Sequence, residues 1–196
     1  MSRIMEKEVR GALNKSKASE IAEYALKHNW KTHVYKQVSI YCNTDHIPRI
    51  GTVTGGKGRL ILDIRDNEIK IKIKLGNALN FERKEYVIKC SRESYEAIAV
   101  LLKVLGVEEG FVRTFDRIDY EIADRIQLTV KLNCLMGDHF ELERNSDDLS
   151  IVDNYNQIID ELGLILWSKE ELAQAIQNDH DKVKAQNIYE YLKGEL

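Results

Sequence analysis

The stretch Glu68-Ile69-Lys70-Ile71-Lys72-Ile73-Lys74-Leu75 alternates without a break between charged and aliphatic side chains. Because successive side chains of a β-strand point to opposite faces, it predicts a strand with one aliphatic face and one face that carries three lysines. The preceding stretch 59–65, joined to it at Asp66-Asn67, completes a predicted hairpin. The fold depends on which face of this hairpin points inward.

Similar strand patterns recur along the chain and are interrupted by helical ones. Strands are predicted at 3–10, 33–44, 59–65, 68–75, 82–90, 111–121, 125–133 and 138–144. Helices are predicted at 18–29, 92–105, about 147–162 and 169–193, the last opened by the capping box Ser168-x-x-Glu171. Strands of even length joined mostly by tight turns are typical of an antiparallel barrel. We expect an α+β fold, an antiparallel eight-stranded β-barrel flanked by helices, with a helical C-terminus.

Two arrangements of the barrel faces are open. A barrel in water usually has an apolar interior, which would turn the lysine face toward solvent. The predicted helices, however, carry apolar stripes that need a sheet face to cover. These stripes are Ile98, Leu101, Leu102 and Leu105 on one helix, and Ile158, Ile159 and Leu162 on another. The stripes favour the second arrangement, a charged interior with aliphatic faces outside, under the helices.

Composition limits the class of protein. The chain has 196 residues, 43% hydrophobic and 31% charged, with a net charge of −3, which indicates a folded domain with a full core. We expect residues 1–166 to form the barrel domain and residues 167–196 a helical extension packed on it. No apolar run approaches the roughly 20 residues of a membrane span, and the N-terminus lacks a signal-peptide pattern. We therefore expect a cytoplasmic protein without a membrane partner.

Two acidic pairs stand at opposite ends of the predicted barrel sequence. Glu6 and Glu8 share one strand face, and Glu141 and Glu143 share another. Neighbouring carboxylates on a strand face lie about 7 Å apart and repel each other, so a fold that gathers both pairs favours a bound cation. All-oxygen ligands suit Mg²⁺ or Mn²⁺. The alternative is a charged face in solvent.

Several short motifs follow one another in a recognisable order. They are Glu6-Lys7-Glu8-Val9-Arg10, Tyr41-Cys42-Asn43-Thr44, Leu62-Asp63-Ile64-Arg65, the strand around Lys72, Arg83-Lys84-Glu85, the basic strand 113–117, and the closing Gly137-Asp138-His139-Phe140-Glu141-Leu142-Glu143. In this order the chain resembles the CYTH superfamily, the triphosphate tunnel metalloenzymes. That superfamily includes class IV adenylate cyclases, thiamine triphosphatases, tripolyphosphatases and RNA triphosphatases. The resemblance implies that the barrel is a triphosphate tunnel.

The resemblance also implies roles for individual residues. It assigns Mg²⁺ or Mn²⁺ to Glu6, Glu8, Glu141 and Glu143. It assigns the phosphates to Arg10, Arg59, Arg65, Lys72, Lys74, Arg83, Arg113, Arg117 and Lys131. Lys72 and Glu85 are the candidate catalytic residues, with Glu85 as a water-orienting base or a plain ion-pair partner. The chain departs from the family pattern at Asp63, Asn43 and Lys131, and Lys131 stands where many members have an acid that helps to hold a second metal.

The implied function is divalent-metal-dependent hydrolysis of a triphosphate, either inorganic tripolyphosphate, a nucleoside triphosphate or a 5′-triphosphate RNA end. Two alternatives stay open. A cyclase would use the 3′-hydroxyl of bound ATP as the nucleophile, and a protein with weakened metal ligation would only bind triphosphate or polyphosphate. Duplex nucleic acid is not an expected partner, because the net charge is negative and no helix is rich in Lys or Arg. We expect a monomer or a homodimer.

Overall fold

The structure is a computed structural model that describes residues 2–42, 59–75, 82–122, 126–145 and 155–195, with residues 2–7, 82–83, 145, 155 and 195 described by their backbone alone. The strands in these ranges are β1 (Ser2–Ala12), β2 (Lys31–Cys42), β3 (Arg59–Arg65), β4 (Glu68–Leu75), β5 (Glu82–Ser91), β6 (Glu109–Ile122), β7 (Ile126–Leu132), β8 (His139–Asn145) and β9 (Ala185–Asn187). The helices are α1 (Lys15–Lys27), α2 (Tyr95–Val104), α3 (Tyr155–Leu162), α4 (Lys169–Lys182) and α5 (Ile188–Glu195).

Eight of the described strands pair in a closed ring. Their order is β2-β3-β4-β5-β1-β8-β7-β6, and β6 pairs with β2 again. All of these pairings are antiparallel. The predicted antiparallel eight-stranded barrel with flanking helices is therefore confirmed. The hairpin of β3 and β4 has the predicted bounds, and its turn places Asp66 at a φ of 41°.

Apolar packing lies outside the ring, between the strands and the helices. One cluster joins α1 and α3 to the outer faces of β6, β7 and β8 through Ile21, Ala25, Tyr120, Ile126, Leu128, Val130, Phe140, Leu142, Ile158 and Leu162. A second joins α2 and α5 to β2, β3 and β4 through Ile40, Leu60, Leu62, Ile64, Ile69, Ile98, Ala99, Leu102, Ile188 and Leu192. The aliphatic strand faces are thus covered by helices, and the charged faces point into the barrel, as the apolar stripes predicted.

The central helix differs from the prediction in two details. Residues Arg92–Ser94 form a 3-10 turn, so that α2 begins at Tyr95 and not at residue 92. The apolar stripe is also narrower than predicted, because Leu101 and Leu105 are about half exposed while Ile98 and Leu102 are buried. A helix that lies on a sheet buries only the side chains that point at the strands.

A single helix over 169–193 is wrong. The predicted capping box of Ser168 and Glu171 does open α4, but the helix ends at Lys182 and Val183 is extended. Residues 185–187 then pair with the first residues of β6 as the short strand β9. The side chain of Asn187 accepts a hydrogen bond from the Glu190 amide, which opens α5. Pairing to β6 and this cap outweigh the local helical preference.

Two predicted elements extend beyond the described residues. The strand predicted over 33–44 is described as far as Cys42, and residues 43 and 44 lie outside the description. The first part of the helix predicted from about residue 147 lies outside the described residues, and α3 begins at Tyr155.

Among the described helices, none combines the length and apolar character that crossing a membrane requires.

Close contact fixes the chain segment before α4 against β1. A Cβ atom on Gly11 would lie 2.0 Å from the carbonyl oxygen of Ile165 and 2.5 Å from the ring of Phe140. The amide of Trp167 donates to the carbonyl oxygen of Arg10 at 2.9 Å. The absence of a side chain at Gly11 therefore lets this segment lie directly on the barrel wall.

Candidate functional site

One end of the barrel interior, the upper cavity, collects charged side chains from across the ring. Among the described residues, seven Lys or Arg and four Asp or Glu line it. They are Arg10, Arg59, Lys72, Lys74, Arg113, Arg117, Lys131, Asp63, Glu141, Glu143 and Asp179. This surplus of cations suits an anionic ligand.

On one wall of the upper cavity, Glu141 lies between two cations. The Nε atom of Arg10 donates to Oε1 of Glu141 at 2.9 Å, and Nζ of Lys131 lies 2.5 Å from Oε2. His139 Nε2 is 3.7 Å from Oε1. Burial would raise the pKa of Glu141, but the charges of Lys131 and Arg10 outweigh burial and hold that pKa well below its ordinary value. The carboxylate is ionised, and each of its oxygens faces a cation.

On the opposite wall, Lys72 joins two carboxylates. Its Nζ lies 2.9 Å from Oδ2 of Asp63 and 3.5 Å from Oε1 of Glu85, whose Oε2 is 3.2 Å from Nζ of Lys74. The Ser39 hydroxyl donates to Asp63 at 2.5 Å. Burial raises the pKa of Asp63, yet Lys72 and the Ser39 hydrogen bond bring it well below its ordinary value. Burial lowers the pKa of Lys72, yet Asp63 and Glu85 raise it overall.

Deeper in the barrel, Arg117 is enclosed by hydrogen bonds. Its Nε donates to Asp119 at 2.6 Å, its Nη1 to Gln37 at 3.3 Å and its Nη2 to Thr129 at 3.2 Å. Nη2 also lies 3.9 Å from Oε1 of Glu143. Burial lowers the pKa of Arg117, while Asp119 and Glu143 raise it above its ordinary value overall. This guanidinium therefore has a structural task in addition to any ligand contact.

Helix α4 covers the mouth of the upper cavity. Its Asp179 is buried and accepts a hydrogen bond from Nε of Arg113 at 2.6 Å. The Arg113 guanidinium also stacks over the ring of Tyr41, 4.2 Å from its centroid. Ile176 and His180 of the same helix line the cavity. The helix thus places a carboxylate against Arg113, a cation to which the family resemblance gives a phosphate-binding role.

The opposite end of the interior, the lower cavity, has a different charge. Among the described residues, two Lys or Arg line it, together with four Asp or Glu. They are Arg65, Lys70, Asp66, Glu68, Asp119 and Glu121. Arg65 stacks over Tyr35 at 4.7 Å, and its Nη1 lies 3.8 Å from Asp119.

No protein-family model and no curated protein sequence matches this chain. Solved structures do match. The PH1819 protein from Pyrococcus horikoshii OT3 aligns with a TM-score of 0.60 and 19% identity over 86% of this chain and 98% of that one. HpAC1 from Hippeastrum, a proposed adenylyl cyclase with a dominant triphosphatase activity, aligns with a TM-score of 0.55 and 12% identity over 88% and 95%. A proposed adenylate cyclase from Bacillus halodurans aligns with 0.55 and 12% over 86% and 95%.

These alignments cover 86% to 88% of this chain and show that it shares the fold of these proteins, the fold that the resemblance implies. At these identities the likeness concerns the fold, and the roles of individual residues depend on the side chains of this chain.

The structure separates the predicted phosphate ligands into groups. Those in the upper cavity are Arg10, Arg59, Lys72, Lys74, Arg113, Arg117 and Lys131. Arg65 lies in the lower cavity. The backbone of Arg83 on β5 pairs with that of Glu6 on β1, and both side chains lie outside the described ones. Glu85 is buried beside Lys72 and Lys74.

Sequence reasoning missed two parts of the cavity. On β2, Gln37, Ser39 and Tyr41 face inward. Their alternation with aliphatic residues was a readable signal of the kind that identified β4. Asp179 was also missed, although it continues the face of Leu172 and Ala175 along α4, where an apolar residue would be expected.

The predicted metal ligands form a less complete group than the resemblance implies. Glu8 and Glu143 lie opposite each other on β1 and β8, and Glu141 lies opposite Arg10. Among the described side chains, no set of three or more His, Cys, Asp or Glu residues is placed to hold a metal ion. Both oxygens of Glu141 face cations. The described residues therefore do not fit a divalent ion at Glu141, and Mg²⁺ or Mn²⁺ stays a prediction.

Proposed function

We propose that the upper cavity binds the phosphates of a triphosphate compound. The observation that carries this proposal is the convergence of Lys and Arg side chains on one enclosed end of a CYTH-fold barrel. They come from five strands of the ring, β1, β3, β4, β6 and β7. Cations from so many directions can surround a linear polyanion, which a single basic strand cannot do.

The balance of charge in the cavity supports a chain of phosphates over a single one. Guanidinium groups such as those of Arg59 and Arg113 form paired hydrogen bonds with phosphate oxygens, and ammonium groups such as that of Lys74 act as point charges. Each further phosphate meets further cations and adds binding energy remote from the first. Affinity should therefore rise steeply with the number of linked phosphates.

The buried carboxylates have a supporting role in this proposal. Asp63 and Glu85 keep Lys72 charged inside the barrel, since they raise its pKa against the effect of burial. They also fix its position, so that little side-chain entropy is lost when a phosphate arrives. A triphosphate would share these cations with the carboxylates.

Hydrolysis of the bound triphosphate is the second candidate function. It is favoured by the likeness in fold to HpAC1, which has a dominant triphosphatase activity. Phosphoryl transfer is catalysed largely by positioning and by neutralising charge, which Lys72 could supply to the reacting phosphate. The two lysines beside Glu85 lower its pKa against the effect of burial, so Glu85 would orient a water by accepting a hydrogen bond rather than act as a strong base.

Isothermal titration calorimetry with phosphate, pyrophosphate, tripolyphosphate and ATP tests the proposed binding. We expect tripolyphosphate to bind at least about 100-fold more tightly than phosphate, equivalent to about 2.7 kcal/mol. Lys74→Ala should weaken tripolyphosphate binding, whereas Lys84→Ala, on the exposed side of the neighbouring strand, should not. Equal affinity for phosphate and tripolyphosphate would refute the proposal.

The same samples decide between binding and turnover. Phosphate release from tripolyphosphate, ATP and a 5′-triphosphate RNA is measured with Mn²⁺ and with EDTA, and cyclic AMP is measured in the ATP samples. Release that Lys84→Ala retains and that Lys72→Ala abolishes, with circular dichroism showing that the variant is folded, would establish hydrolysis. Cyclic AMP without phosphate release would establish the cyclase reaction, and binding without either product would leave a triphosphate-binding protein.

A further inference from the structure

We infer that Lys131 takes the place of a divalent cation on Glu141, so that the upper cavity binds triphosphate without a bound metal ion. This inference rests on the proposed function and adds to it the cation that neutralises the acidic wall. On this wall the Glu141 carboxylate is already paired with Arg10 and Lys131, so it is not an open metal ligand.

The first step is the state of the Glu141 carboxylate. Lys131 Nζ lies 2.5 Å from Oε2 and Arg10 Nε lies 2.9 Å from Oε1. The side chains of Glu141 and Lys131 are 7% and 14% exposed, so this pair is largely shielded from water. A divalent ion such as Mg²⁺ needs a carboxylate oxygen at about 2.0 to 2.1 Å. At either oxygen it would approach a cation that is already there, and it would have to displace that cation or bind against its repulsion.

The second step is the cost of that displacement. A metal ion that displaced Lys131 would leave an ammonium group in a largely buried position, and an uncompensated buried charge is strongly unfavourable. The ring of Phe115 has its centroid 5.4 Å from Nζ and would compensate only in part. The pair of Lys131 and Glu141 therefore opposes metal binding.

The third step is the register of the strands. Arg10 on β1 lies directly opposite Glu141 on β8, and on the other side of β8 Glu141 lies opposite Thr129 of β7. Lys131 is the diagonal neighbour on β7 and reaches Glu141 along the inner face. The charge at position 131 therefore determines whether Glu141 is neutralised by the protein itself or requires a bound cation. A carboxylate at this position would add a second negative charge beside Glu141 and create a demand for an external cation.

Calorimetry with the full-length chain tests the inference in two independent titrations. Titrating MnCl₂ alone into the wild type should give no saturable binding. Titrating tripolyphosphate should give an affinity in EDTA equal to or higher than that in Mn²⁺, because Mn²⁺ in solution neutralises part of the charge of free tripolyphosphate. Lys131→Glu should acquire saturable Mn²⁺ binding, lose at least tenfold in tripolyphosphate affinity in EDTA, and regain affinity when Mn²⁺ is added. Lys84→Glu is the matched control and should behave as the wild type.

The outcomes separate this inference from the proposed function. Stoichiometric Mn²⁺ binding by the wild type, or tripolyphosphate binding only in the presence of Mn²⁺, overturns the inference and leaves the proposed function intact. Absence of tripolyphosphate binding under both conditions overturns the proposed function and the inference with it. Because both wild-type titrations need no variant, the test stands even if circular dichroism shows that Lys131→Glu does not fold.

Discussion

The two ends of the barrel interior share strands β2, β3, β4, β6 and β7 but differ in charge. Within the described part of the chain, Lys and Arg outnumber Asp and Glu seven to four in the upper cavity, and the acids outnumber the basic residues four to two in the lower one. Strand β3 contributes Arg59 to the upper cavity and Arg65 to the lower, and β4 contributes Lys74 and Lys70 in the same way. The position of a residue along its strand therefore determines its electrostatic environment.

Two lysines of β4 show how sharp this difference is. Burial and the nearby Arg65 lower the pKa of Lys70. Lys72, two residues away on the same face, is also buried, but Asp63 and Glu85 raise its pKa above the ordinary value. The same residue type on the same strand face is thus destabilised as a cation in one place and stabilised in the other. Lys72 lies between two carboxylates that keep it charged, whereas Lys70 lies between the carboxylate of Glu68 and the cation of Arg65.

The largest expected effect comes from removing Lys72. Lys72→Met should lower the free energy of unfolding by about 3 to 5 kcal/mol, because it leaves Asp63 buried beside the apolar side chain. Lys70→Met should cost about 1 kcal/mol or less, since the carboxylate of its ion-pair partner Glu68 is partly exposed to solvent. Urea denaturation of both variants measures the difference.

A pH titration provides the control for the Lys72 prediction. Folding raises the pKa of Lys72 above its ordinary value of 10.5. Its contribution to stability is therefore complete below that pH and is lost as the pH rises through the folded-state pKa. The difference in the free energy of unfolding between the wild type and Lys72→Met should therefore decrease as the pH rises above 10.5. Equal losses for Lys70→Met and Lys72→Met at neutral pH would contradict the distinction between the two ends.

A smaller effect is expected from removing one guanidinium at each end. Arg59→Gln should weaken tripolyphosphate binding by about 1.5 to 3 kcal/mol, the range for a hydrogen bond to a charged group. Arg65→Gln should change the affinity by less than about twofold, or about 0.4 kcal/mol, because its guanidinium lies in the acidic lower cavity. Calorimetric titration of both variants measures the effect. A larger loss for Arg65→Gln would place the ligand at the lower end.

Arg65 also shows how far the sequence predicts this molecule. Alternation of side chains is a local signal, so it located β3 and β4. The same alternation puts Arg59 and Arg65 on one face of β3, because they are an even number of residues apart. The direction of that face followed from the apolar stripes on the helices, such as Ile98 and Leu102. Which end of the barrel each residue lines depends on the stagger of the closed ring, and no local pattern records that stagger.

The division of the C-terminal helix and the contact between Lys131 and Glu141 could not be predicted from the sequence, because both depend on how distant strands pair. The division of the last predicted helix depends on pairing between residues 185–187 and β6, which are distant in sequence. The contact between Lys131 and Glu141 is diagonal across two strands, so it requires the register of β7 and β8. Sequence reasoning noted Lys131 as a departure from the family pattern, but only the structure shows that it neutralises Glu141.

The smallest expected effect on tripolyphosphate affinity comes from replacing Asp179, which lies at the mouth of the upper cavity. Its carboxylate accepts a hydrogen bond from Arg113, so a phosphate must compete with it for that guanidinium. Asp179→Asn keeps the shape but converts a charge-assisted hydrogen bond into a weaker one, a difference of about 1 kcal/mol. Tripolyphosphate affinity should then rise about fivefold, while Asp181→Asn, on the exposed side of α4, should leave it unchanged. Calorimetry measures both. If Asp179→Asn instead weakens binding, the carboxylate holds Arg113 in position for the phosphate and does not compete with it.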